Sequence, residues 1–167
     1  MINLNEALEV INDVAKKATI EMNKKKAKVM KEYIIKNIDR INVMAKVLKS
    51  IDDNNFVRKR FEEFNNDNEK YTYHIYTTRW THQLGLMEYN KEFSLGICAG
   101  GCFGSYDLYI KPDGKIIFIL KDNSDITYDI EELATLDKFD ILILELAYEG
   151  IDKLEKQINE FIEYLKK

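Results

Sequence analysis

Residues able to do chemistry are few in this chain, and the most distinctive run of them is Gly96-Ile97-Cys98-Ala99-Gly100-Gly101-Cys102-Phe103-Gly104-Ser105. Its glycines allow a backbone to approach a ligand closely, and successive N–H groups in such a loop could cradle an anion. The phosphate-loop pattern is absent, because no Lys-Ser or Lys-Thr follows and Ser105 opens a strand rather than a helix. A tight turn or bulge between strands is the simpler expectation, with a small-ligand or enzymatic site at 96–105 as its alternative.

Cys98 and Cys102, with His74 and His82, supply four residues of the types that bind zinc. Their spacing matches no common zinc motif, so we expect free thiols, no metal and no cofactor. Catalysis needs a nucleophile, a base and an orienting group. Only Cys102, His74 and Asp107 can be drawn as such a set, and no local signature supports it, so an enzyme is not the expectation. Asp113-Gly114-Lys115 resembles a nuclease fragment but follows Pro112, where a hairpin turn explains it better.

Binding chemistry is better represented. Aromatic residues concentrate between Tyr71 and Tyr109, and Tyr73, Tyr76, Arg79, Trp80 and Tyr109 are the types favoured at interfaces and stacking platforms. An exposed recognition edge built from them is expected, with strand packing as the competing account.

Charge is divided along the chain. The net charge is −4, yet residues 1–85 carry sixteen Lys and Arg against twelve Asp and Glu, and the remainder nine against seventeen. Lys16, Lys17, Lys24, Lys25, Lys26, Lys28 and Lys31 make the basic concentration; Asp122, Asp125, Asp129, Glu131, Glu132, Asp137 and Asp140 make the acidic one. The first set is what a phosphate-tracking helix would present. The second could stand where phosphates would lie in a basic groove of a partner protein. Self-complementary packing of a basic helix beside an acidic one is the bland alternative.

These residues need elements to position them. Leu4, Leu8, Ile11, Ala15, Ala18 and Met22 recur at spacings of three and four, predicting a helix capped by Asn3 or Asn5. Met30, Ile34, Ile38, Ile41, Ala45 and Leu48 continue that spacing beyond the polar run 23–26, so one long bent helix or a helical hairpin broken there fits, the hairpin slightly better. A short helix over Phe56–Phe64 should end in a loop at Asn65-Asn66-Asp67-Asn68. Alternation then starts at Tyr71–Tyr76 and recurs over Leu84–Tyr89, Phe93–Cys98, Ser105–Lys111, Lys115–Lys121 and Ile126–Ile130, predicting an antiparallel meander of five or six strands with the wholly apolar Ile116–Leu120 near its centre. The helical period returns from Asp129 or Asp137, predicting a long amphipathic helix to the end, packed on the sheet.

The expected fold is α+β, one domain over 1–167, with helices in 1–66, sheet in 71–130 and helix in 131–167. MINLNEALEV lacks a signal-peptide pattern and no apolar run is long enough for a membrane span, so a cytoplasmic protein without a membrane partner is expected. The leading expectation for function is a non-enzymatic protein that occupies a protein partner, as an inhibitor, an immunity factor or a phage-encoded antagonist of a host defence system such as an anti-CRISPR would. That partner could itself be a basic nucleic-acid-binding protein. Nucleic-acid binding through the basic helix is the runner-up.

Overall fold

The computed structural model describes residues 3–67, 84–97, 106–120, 127–129 and 142–167. Helices α1 (Leu4–Lys36), α2 (Ile38–Asp53) and α3 (Asn55–Asp67) lead into strands β1 (Leu84–Tyr89), β2 (Glu92–Ile97), β3 (Tyr106–Ile110), β4 (Ile116–Leu120) and β5 (Thr127–Asp129), and α4 (Leu142–Leu165) follows. The class is α+β, with one antiparallel sheet in the order β1-β2-β3-β4-β5.

The strand count is corrected. Four strands have five or six residues, and β5 is a three-residue ladder on the outer side of β4, short of the five or six full strands expected. Tyr71–Tyr76 lies outside the described residues.

Local chemistry explains the hairpins. Asn90 and Lys91 both have positive φ, 50° and 64°, the backbone of a two-residue turn whose twist matches its flanking strands. At the β3–β4 turn Gly114 takes φ +93°, its N–H donates to Lys111 O at 2.8 Å, and Asp113 Oδ1 accepts from Lys115 N at 2.9 Å. The Asp-Gly-Lys sequence is therefore a turn.

The long N-terminal helix does not break where the polar run stands. α1 continues through Asn23-Lys24-Lys25-Lys26 and stops at Asn37, whose Nδ2 donates to Tyr33 O at 2.8 Å, diverting the chain without Gly or Pro. The expected loop at 65–67 is also overturned, since α3 runs to Asp67 and Asn65 is buried.

One core joins both layers. Leu84, Leu86, Leu95, Ile97, Leu108, Ile110, Ile116 and Phe118 alternate onto one sheet face, and Ile41, Met44, Leu48, Phe61, Leu144, Ile151, Leu154 and Phe161 meet them from the helices. In α4 the buried positions 144, 147, 151, 154, 158 and 161 keep helical spacing, so a single stripe carries the packing of that helix. The Phe61 and Phe161 rings meet edge-on at 4.9 Å between centroids. None of the described helices is long and apolar enough to cross a membrane.

Candidate functional site

Helix α1 changes its relation to the rest of the molecule at Asn23. C-terminal to that point Asn23, Ala27, Met30 and Ile34 are buried at spacings of four and three, so one face lies against the body. N-terminal to it almost every position is exposed, including Leu4 at 81%, Leu8 at 58%, Ile11 at 62% and Met22 at 50%. The apolar stripe expected to pack is on the helix, but no described element covers it.

The phase of the pattern gives the reason. Met22 ends the stripe and Asn23 begins the buried face, so consecutive residues set the two faces about 100° apart around the axis. Extending the buried face backwards along α1 passes the half-buried Ile20 and then reaches Lys16, Asn12, Glu9 and Asn5, all polar, so N-terminal to Ile20 the helix has nothing apolar to lay on its own body. Val14 lies beside the stripe and is exposed as well, widening it. Leu4, Leu8, Ile11, Ala15, Ala18 and Met22, expected as one apolar helical stripe, form an exposed surface, and the phase jump between 22 and 23 is the signal that could have shown it.

The arm has a secured beginning and a clamped root. Asn3, in extended conformation, accepts from Asn5 N at 3.0 Å and so caps the helix, with Glu6 in the first turn favourably placed against the dipole. At the root Lys26 Nζ lies 3.3 Å from Glu145, the Tyr33 and Tyr148 rings meet at 4.8 Å, and Tyr33 Oη donates to Asp152 at 3.1 Å. Just beyond the Asn37 break, Arg40 bonds both Asp152 and Glu155. Arg40 holds the Asp152 carboxyl below the usual carboxylate range, and Glu155 with Asp152 raises the guanidinium further. The arm spans residues 4–22, about 27 Å at helical rise.

The other sequence-derived residues are distributed as follows. Lys16, Lys17, Lys24, Lys25, Lys26, Lys28 and Lys31 all lie on α1, the first six exposed and Lys31 half-buried. Lys17 pairs with Asp13 at 2.9 Å and Lys24 with Glu21 at 3.7 Å. Of the aromatic edge only Tyr109 is described, and it is not exposed. It is 0% accessible and pairs with Gly96 in the β2–β3 register. Its hydroxyl donates to Glu92 O at 3.2 Å and its ring meets Tyr89 at 5.4 Å, so its place in a recognition surface is corrected to a packing role. Tyr73, Tyr76, Arg79 and Trp80 lie outside the described residues, as do Asp122, Asp125, Glu131, Glu132, Asp137 and Asp140; Asp129 closes β5.

The glycine-rich run is described only at Gly96 and Ile97, both in β2 and buried. A Cβ at Gly96 would stand 2.5 Å from Met87 Sδ and 2.6 Å from Leu108 O, so its glycine serves close strand packing. His74, His82, Cys98 and Cys102 lie outside the described residues, among which no group of three or more His, Cys, Asp or Glu is placed to hold a metal. A shallow groove beside Asn42, Lys46, Lys49, Phe93 and Pro112 has its Lys49 ammonium 4.3 Å over the Phe93 ring and 2.7 Å from Asp53, so that cation is committed to the fold. Comparison of the sequence with protein-family models, with curated proteins and with solved structures finds no match.

Proposed function

We propose that this chain acts as a non-enzymatic binding protein that occupies a protein partner, in the manner of an inhibitor, an immunity factor or a phage-encoded antagonist of host defence such as an anti-CRISPR. The observation that carries the reading is the stripe of α1 that no described element covers, with Leu4, Leu8, Ile11 and Met22 exposed on a helix whose root is clamped. An amphipathic helix presenting anchors at i, i+4 and i+7, as Leu4, Leu8 and Ile11 do, is a recurrent way of docking into a protein surface. Exposed aliphatic surface of this continuity is rare on a helix that has no partner.

A tagged protein recovered from its native lysate with nuclease treatment should retain a protein partner in stoichiometric amount. The Leu8→Asp, Ile11→Asp double variant should lose that partner while melting at the same temperature, since neither residue belongs to the core. Retention of the partner by the variant would remove the arm from the contact.

Nucleic-acid binding is the second reading, favoured by one observation: the spacing of seven, four and three places Lys17, Lys24, Lys28 and Lys31 along one line of α1. Mobility shifts with short DNA and RNA at physiological salt should show weak binding at most if those lysines serve solubility. Tight binding abolished by changing Lys24, Lys25 and Lys26 to Glu would exchange the two readings.

A further inference from the structure

We infer that the occupant of the α1 stripe is the same stripe of a second copy, the two arms crossing antiparallel about Asp13. This rests on the reading of the arm as a docking element, and a second copy would then cover the stripe in place of the foreign protein proposed above.

Three features of the arm carry the inference. The first is its spacing. Leu4, Leu8, Ile11, Ala15, Ala18 and Met22 follow intervals of four, three, four, three and four, a sequence that reads the same in both directions, and alternating intervals of this kind form the seam of a two-helix coil. An antiparallel dyad at residue 13 therefore brings every stripe residue of one copy opposite a stripe residue of the other. Asp13 itself lies on the opposite side of the helix from the stripe and stays in solvent.

The second is volume. In that register Leu4 meets Met22 of the second copy, Leu8 meets Ala18 and Ile11 meets Ala15. The two central layers then each combine a large side chain with a small one, so the helices approach closely without voids. A parallel pairing would stack Leu8 on Leu8 and Ile11 on Ile11, then Ala15 on Ala15 and Ala18 on Ala18, which would overfill one end and leave the other empty.

The third is charge. From Asn3 to Val14 the arm carries Glu6, Glu9 and Asp13 and no cation, whereas Lys16 and Lys17 stand in its second half and Lys24, Lys25, Lys26 and Lys28 follow at its root; about a dyad at residue 13, Glu9 of one copy faces Lys17 of the other. Antiparallel crossing lays each acidic tip toward the other copy's basic root and opposes the two helix dipoles. Parallel crossing would align like with like. A two-helix contact about 27 Å long buries on the order of 1,000 Å², the lower end of specific interfaces, so the dimer should form and dissociate with concentration rather than be permanent.

The test is the mass of the purified full chain in solution, by sedimentation or light scattering across the micromolar range. The weight-average mass should rise from 19.7 kDa toward twice that value with concentration. The Leu8→Asp, Ile11→Asp variant should stay at 19.7 kDa with an unchanged melting temperature. Amine cross-linking of a mixture of isotope-labelled and unlabelled chains gives the direction. It should join the amino terminus of one copy to Lys24, Lys25 or Lys26 of the other, groups about 30 Å apart along the helix of a single copy. A monomer at every concentration, a dimer indifferent to the Leu8→Asp, Ile11→Asp change, or cross-links of Lys24 to Lys24 without any to the amino terminus would each overturn the inference. A monomer that still captures a different protein through the arm would overturn self-pairing alone and leave the proposed function standing.

Discussion

Gln157 Nε2 donates to Asn65 Oδ1 at 2.7 Å, and both residues are buried, one on α4 and the other in the last turn of α3. Ninety-two positions apart in sequence, they form a polar contact beside the Phe61, Phe64 and Phe161 rings, so the angle at which α3 meets α4 is fixed by a directional bond as well as by apolar packing. Asn65→Ala and Gln157→Ala should each lower stability by about 1–3 kcal/mol, because each leaves a buried amide facing a group that cannot bond it. The double variant should lose less than the sum of the two. Additive losses in urea melts would show that the two amides act independently.

Arg40 should make stability depend on pH through Asp152. The guanidinium depresses the Asp152 carboxyl in the folded chain, so the contribution is present above the ordinary aspartate value near about 4 and is lost as pH falls below it. Arg40→Met should cost no more than about 1 kcal/mol at neutral pH, since Asp152 is largely solvated and the pair is screened. Melts of wild type and variant should converge below pH 4; a difference that persists at about pH 2 would assign the loss to the packing of the arginine stem instead.

Gly96→Ala should be among the more damaging small substitutions in the sheet. The new methyl would fall within 2.6 Å of the Leu108 carbonyl oxygen, which belongs to the backbone of β3 and cannot move aside as Met87 could. A loss of about 1–3 kcal/mol is expected in chemical denaturation, from overpacking rather than from backbone strain. An alanine variant as stable as wild type would mean that β2 and β3 separate at that point without cost.

Tyr109 should titrate late. Burial pushes its phenol up to about 12, so of the ten tyrosines at least this one should resist ionisation while the chain is folded. Because the folded value is raised, its contribution is complete below the ordinary tyrosine value near about 10 and is lost as pH climbs through about 12. Tyr109→Phe should cost about 0.5–1.5 kcal/mol at neutral pH for the lost bond to Glu92 O and should remove the latest step of the ultraviolet titration. A titration curve unchanged by that substitution would place the late phenol elsewhere.

Sequence legibility followed the range of the interaction that decides each feature. Pro112-Asp113-Gly114 and Asn90-Lys91 could be read as turns because dihedral preference acts within four residues, whereas the apolar run Ile116–Leu120, expected near the centre of the sheet, is its fourth strand, beside the short β5, and leaves Ile119 half-buried. The α4 face was legible as a period, although Ala147 and Ile151 complete it where Leu146 only half contributes. Asn37, Asn65 and Tyr109 were not legible, the first because no Gly or Pro marks the break and the other two because their partners are distant in sequence. The break at Asn37 is held by near neighbours, Tyr33 O and Arg40, whereas Asn65 meets Gln157 and Tyr109 packs on Tyr89 and bonds Glu92 O. The arm lies between these cases: its stripe was plain, but whether a stripe meets its own chain or another molecule is not written in its periodicity.

The clamp between α1, α2 and α4 also bears on how the molecule comes into being. Lys26 and Glu145 stand 119 positions apart, and Tyr33 and Arg40 wait for Asp152 and Glu155, which come later in the chain than every strand. At synthesis rates of about 5–20 residues per second the three N-terminal helices exist for several seconds before α4 emerges, with the faces of Met30, Ile34, Phe61 and Phe64 uncovered. Contacts this distant close only after a long loop has lost its freedom, which slows the step that completes the core. Nascent chains should therefore bind chaperones until α4 is made, and a chain halted before Leu142 should be a target for proteolysis rather than a partly working protein.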